Sequence, residues 1–203
     1  MPWTEPAAVL DYWIGPDDIS HAGWAEKQQL WYAASADIDA DIRERFGDTL
    51  KAAENGKLPD WQNSLQGQLA LIVLYDQFSR NLYRGTSDVY KNDPAAQAIA
   101  DNIIDSGQID TLNIPASILV LHVWHHAEDR KRQAGVVEQG ERLLARCDEA
   151  WRELVENNFT YMKNHSGIIR EFGRFPHRNK LLGRTSTEAE TAFLEKDKRT
   201  YGQ

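Results

Sequence analysis

The residues best suited to chemistry crowd into one short run near the end of the chain. Glu171 to Asn179, EFGRFPHRN, combines charge, aromatic rings, Gly173 and Pro176. From Arg170 to Arg184 five basic side chains (Arg170, Arg174, Arg178, Lys180, Arg184) stand against one acid, Glu171, in a chain of net charge −8. Guanidinium groups gathered in an acidic protein suit the holding of an anion, or the clamping of buried carboxylates, through forked hydrogen bonds. Earlier in the chain Asp76, Arg80 and Arg84 follow one another at helical spacing, and His126 precedes Glu128 by two positions. These side chains, with His177, allow two readings. In one they line a pocket between helices: the arginines fix an anionic group, and His126 or His177 transfers protons with Glu128 and Asp76. In the other they are an ionic latch, in which arginines of the C-terminal segment hold carboxylates of the central helices in register.

Other chemistries find less support. His122 and His126 lie four apart, with His125 and Glu128 close by, a spacing at which two imidazoles reach one ion, yet there is no HExxH pattern. No metal and no cofactor are expected. Ser79 and Ser166 lack a GxSxG elbow or an SxxK pair, and the glycines form neither GxGxxG nor a phosphate-binding loop. The lone Cys147 has no disulfide partner in the chain. The chain has no long basic run, so nucleic acid is not an expected partner. No stretch reaches the roughly 18 apolar residues that span a bilayer, and the N-terminus MPWTEPAAVL lacks the basic start of a secretory signal. A cytoplasmic location is expected. The open partners are a small anionic ligand, a protein segment, or a second copy of the chain.

The elements that must position these groups read as helices. A composition of 41% hydrophobic and 27% charged residues belongs to a globular chain, and 203 residues can bury a real core in one domain spanning 1–203. Val9, Leu10, Trp13 and Ile14 share one face of a short helix closed by Gly15-Pro16. An apolar patch from Trp24 to Tyr32 precedes Ile38, Ile42, Phe46 and Leu50, which recur every fourth position until Gly56 and Pro59. Ser64 can cap the next helix, apolar nearly all round from Leu69 to Tyr75, so that it should lie mid-domain and bury Asp76. Asn92 or Asp93 starts a helix ending near Gly107, and Pro115 opens a run to Cys147 that is either continuous or bent near Gly135 and Gly140. Trp151, Val155, Phe159, Met162 and Ile169 stripe another helix, broken by Gly173 and Pro176, and Thr187-x-x-Glu190 is a capping box for the last. The seven tryptophans are spread along the chain as core fillers. Phe172 and Phe175 read as anchors pinning the late loop. No strand alternation is sustained. The expectation is an all-α domain of about seven to nine helices.

Four blocks, VLDYWIG (9–15), LALIVLYDQFSRNLYRGT (69–86), HAED (126–129) with Gln133, and HSGIIREFGRFPHRNKLLGRTST (165–187), resemble a mainly bacterial family, the domain of unknown function numbered 924. The resemblance implies stacked antiparallel helices of the tetratricopeptide-repeat-like kind, though no internal repeat is visible. It carries no reaction. Its matching polar positions are Asp76, Gln77, Arg80, Asn81, Arg84, His126, Glu128, Asp129, His165, Arg174, His177, Arg178 and Asn179. Of these Gln77, Arg80, Arg84, His165, Arg174, Arg178 and Asn179 are the candidate ligand-binding residues. Ala127 stands where the family more often has serine. Val123 stands where it often has proline, which implies a straighter helix before His126.

Overall fold

A computed structural model describes residues 3–32 and 35–197, the side chains of 29–32 excepted, so Trp31 lies outside the described side chains. The described residues are helical with no strand, as the absence of alternation requires. In chain order the helices are α1 (Pro6–Trp13), α2 (His21–Tyr32), α3 (Ala36–Glu54), α4 (Leu65–Ile72), α5 (Ser79–Leu82), α6 (Asp93–Asp105), α7 (Ile114–His125), α8 (Arg130–Arg146), α9 (Glu149–Phe172) and α10 (Glu188–Lys196).

Many boundaries have a local chemical cause. Ser64 Oγ accepts from the Gly67 amide at 3.1 Å and starts α4. Thr187 and Glu190 form the capping box of α10, each side chain accepting from the other residue's amide. Gly173, at φ 71°, closes α9 by returning its amide to Ile169 O at 2.9 Å, a left-handed position that favours glycine. Two features differ from the expectation. The run from Pro115 to Cys147 breaks at His126–Asp129 and not near Gly135 or Gly140, because Asp129 caps α8 with its carboxylate on the Arg132 amide at 2.8 Å. Second, α4 does not continue as α-helix through Asp76: Val73–Phe78 is a π-helical stretch joining α4 to α5.

The main core gathers Val9 to Met162 and includes Trp13, Trp24, Phe46, Phe78, Leu69 to Ile72 of α4 and most of the apolar residues of α7. Helix α8 lies along α9 and α7, α6 packs on α7 and α4, and α1 covers α4. Ile168, Ile169 and Phe175, joined by Phe172 and Phe193, make a smaller cluster under the late motif. Both phenylalanines therefore act as anchors. Trp3, by contrast, is exposed and fills no core.

One close approach fixes the central helix. The turn Pro59–Asn63 crosses α4 at Gly67, where a Cβ would stand 2.1 Å from the Trp61 carbonyl oxygen. Backbone cannot rotate away as a side chain can. Gly67→Ala is expected to cost about 2–3 kcal/mol in urea unfolding, the range for overpacking a tight contact. A loss below about 0.5 kcal/mol, the scale of a neutral surface change, would mean that the Trp61 turn moves freely.

Candidate functional site

The apolar surface of α4 and its π-helical extension carries Asp76 into the interior, where it is 1% exposed. A buried carboxylate needs donors. Three converge on it: His126 Nδ1 at 2.9 and 3.0 Å from its two oxygens, Arg80 at 3.2 Å, and the Gln77 amide. Arg80 is engaged on every side. Its Nη1 donates to Asp76 O, Val89 O and Asp93 Oδ1 at 2.9, 3.3 and 3.0 Å, and Nη2 reaches Asp93 Oδ2 at 3.4 Å. Burial opposes the charge of Arg80, but the carboxylates of Asp76 and Asp93 outweigh it and raise its pKa. Asp93 lies above the ordinary carboxylate range because it is buried, with Arg80 pulling the other way and Asp76 adding to the rise.

Arg178 completes this group in a different manner. It is 7% exposed, its nearest carboxylate oxygen, on Asp93, is 3.9 Å away, and its Nε is buried without a hydrogen bond. The rings of Tyr90 and Phe175 flank the guanidinium, with centroids 4.5 and 4.6 Å from Cζ. Burial and the charge of Arg80 lower its pKa. An arginine keeps its proton at neutral pH all the same.

Histidines line the rest. His122, His125, His126 and His165 adjoin one another, with ring centroids 4.2 Å apart for His125 and His165 and 5.9 Å for His122 and His126. His165 Nδ1 also faces Tyr161 O at 3.2 Å. Burial pushes His122 down to about 4, and burial with the neighbouring Arg178 and His165 pushes half-buried His177 down to about 3. His125 and His126 lie well below their ordinary range, chiefly through burial, His125 also through His165 and His126 also through Arg80. Among the described residues no three His, Cys, Asp or Glu side chains are grouped to hold a metal ion.

The other sequence candidates have structural employment. Arg84 grips Asp39 at 2.8 and 3.1 Å, where the spacing had suggested Asp76 as its partner, and Asn81 shares that carboxylate. Arg174 grips Glu190 at 2.5 and 2.8 Å and adds the Thr185 carbonyl at 2.9 Å. Asn179, buried between them, donates to Ser186 Oγ and Glu190 and accepts from Arg184 Nε. Glu128, a candidate for proton transfer, accepts from Arg184 at 2.6 and 2.9 Å and from the Phe175 amide at 2.7 Å, so both oxygens are occupied. Tyr90 and Asp93 are the site residues that sequence reasoning missed. Asp93 was legible only as a helix start. Its acidic charge thirteen positions after Arg80 falls outside any one-helix spacing, so nothing local linked the two.

Ahead of His126 the helix is held by Gln133, whose amide donates to the carbonyls of Trp124, His125 and Ala127 at 3.2, 2.8 and 2.8 Å. With valine at 123, α7 runs unbroken to His125 and leaves His126 as its C-terminal cap, turned onto Asp76. Elsewhere, a concavity of about 330 Å³ opens between Asp17, Asn113, Arg146 and Trp151, outside this cluster. Its arginine is engaged by Leu112 O, Ile109 O and Ser117 Oγ.

Fold and site together define an all-α protein with a buried cluster of carboxylates, arginines and neutral histidines at the meeting of its central and C-terminal helices. The chain belongs to the family described as bacterial protein of unknown function, domain 924, whose model matches residues 9–198. It is similar to the solved structure of a protein of unknown function, ATU0120, from Agrobacterium tumefaciens, at 30% identity and a TM-score of 0.76, covering 95% of this chain and 97% of that one. No curated protein matches the chain.

His122, His125, His126 and His177 make stability depend on pH. Their folded pKa values lie below the unfolded value near 6.5, so as pH falls the unfolded chain takes up protons first. The contribution is complete above pH 6.5 and is lost on the way down to about 4 for His122 and about 3 for His177. Urea unfolding is expected to weaken from pH 6.5 to 5, and His122→Gln to make that slope shallower by about 1.4 kcal/mol per pH unit, one proton's worth. An unchanged slope in the variant would show that His122 titrates normally.

Proposed function

We infer that the protein binds a small anionic compound, a carboxylate or a phosphate ester, at Arg178. The observation that carries the reading is this guanidinium: nearly buried, flanked by two rings, and with no hydrogen bond at Nε. A buried cation in that condition is costly, and a carboxylate or phosphate is the partner its planar fork fits. Arg80 contributes field more than contact, since its donors are engaged. Gln77 and His165 line the same cluster, whereas Arg84, Arg174 and Asn179 act at a distance by holding the walls. The stacking of α7, α8 and α9 on sequential neighbours agrees with a tetratricopeptide-repeat-like arrangement, and a cytoplasmic setting agrees with a single free cysteine.

The latch reading has its own support, in the paired forks of Arg84 with Asp39, Arg174 with Glu190 and Arg184 with Glu128. These are side chains with their partners already in place, so the two readings divide the arginines between them. In the scaffold version a protein segment or second copy is the partner.

Thermal unfolding against inorganic phosphate and a panel of carboxylated and phosphorylated metabolites separates the roles. A ligand at about a hundred times its Kd adds about 2.7 kcal/mol, or several degrees in a chain of this size. Wild type and Arg174→Gln are expected to shift, the latter from a lower starting Tm, while Arg178→Gln does not shift. Failure of every compound to move wild type would remove the anion reading and leave the scaffold.

A further inference from the structure

The two ring nitrogens of His126 meet different surroundings. Nδ1 lies 2.9 and 3.0 Å from the oxygens of Asp76, while among the described residues nothing hydrogen-bonds Nε2. The side chain keeps 23% of its surface exposed, against 1% for its carboxylate partner and 1% for His125. A carboxylate can only accept from Nδ1, so the hydrogen of the neutral ring sits there and the lone pair sits on Nε2, the side that solvent can reach. Asp76 is in turn held by Arg80 and Gln77, so the ring is oriented from behind by a fixed group. That is the arrangement of a base with its orienting carboxylate.

Two further features belong to the same place. Asp76 sits within the π-helical stretch Val73–Phe78, an irregularity that is frequent at functional positions because it re-aims a side chain at a cost to the helix. The positive charges of Arg80 and Arg178 both lower the pKa of His126, so an anion that offsets them would raise its basicity.

We propose that His126 accepts a proton through Nε2 from the hydroxyl of an anionic substrate seated on Arg178, a hydroxy-carboxylate or hydroxyl-bearing phosphate ester, with Asp76 as the positioning residue. The inference rests on the anion-binding reading above. In the step, the substrate O–H bond breaks, its electron pair stays on oxygen, and the proton joins the Nε2 lone pair. The imidazolium so formed is offset by Asp76, and the oxyanion by Arg178. Glu128 takes no part, since both of its oxygens are held by Arg184 and the Phe175 amide.

The test combines histidine ¹⁵N NMR of the full chain with diethylpyrocarbonate acylation, located by mass spectrometry, with and without inorganic phosphate. At pH 7 His126 is expected as the Nδ1–H tautomer, acylated at Nε2 about tenfold faster than His122 and His125, which are buried more deeply. Saturating phosphate should slow that acylation by about tenfold, as an occupied neighbouring site would, and Arg178→Gln should abolish the protection. In Asp76→Asn the tautomer should invert, a signature that loss of packing alone would not produce. An Nε2–H tautomer in wild type, or acylation no faster than at His125, would overturn the proposal without needing any variant to fold. Phosphate that raises Tm but leaves His126 acylation unchanged would overturn the proton-transfer role and leave the anion site standing, whereas no change in Tm or in His126 acylation with phosphate or with any compound of the carboxylated and phosphorylated panel would remove both.

Discussion

A carboxylate on an apolar helical rod has to be partnered where it is buried, and the arrangement around Asp76 answers that demand. Arg80 comes from the same rod one turn on, Gln77 from the adjoining position, and His126 from the end of α7. Arg80 needs a second carboxylate to balance what burial costs it, which Asp93 supplies from the start of α6. Asp93 in turn faces Arg178 from the late motif. The chain of opposite charges thus runs from the middle of the core to the C-terminal segment, and removing any member would leave the charge of its neighbours less fully offset.

The arginines of the late motif divide by whether a carboxylate already saturates them. Arg174 and Arg184 close bidentate pairs that bind the segment after Gly173 to α10 and to the α7–α8 turn. They hold the loop that carries Arg178. A rigid frame of this sort lets one guanidinium be held between Tyr90 and Phe175 with only a 3.9 Å approach to Asp93 and no hydrogen bond at Nε. Paired and incompletely paired arginines are thus different side chains of the same short motif.

The histidine cluster follows from the same economy of space. Packed between the arginines and the core, His125 and His126 are held well below their ordinary range chiefly by desolvation, with His165 adding to the effect on His125 and Arg80 to that on His126. Neutral imidazoles can then sit against one another at contact distance. His126 has the Asp76 carboxylate on one side and keeps part of its side chain open to solvent.

Much of the fold was legible from local chemistry. The stripes of α3 and α9, the Ser64 and Thr187 caps, the stop at Gly173 and the burial of Asp76 all depend on residues within a few positions of one another. So did the pairing of Asp76 with Arg80, four residues apart on one rod. The break at Asp129 and the π-helical turn were not legible, since each depends on what packs against it. The sequence by itself determined which residues carry charge into an apolar interior and hence that a polar cluster must exist. Only the tertiary structure decided the partners: Asp39 for Arg84, Glu190 for Arg174, Asp76 for His126, and none in full for Arg178. Those pairings join segments up to 50 residues apart, and spacing along a chain holds no information about which distant face will close upon it.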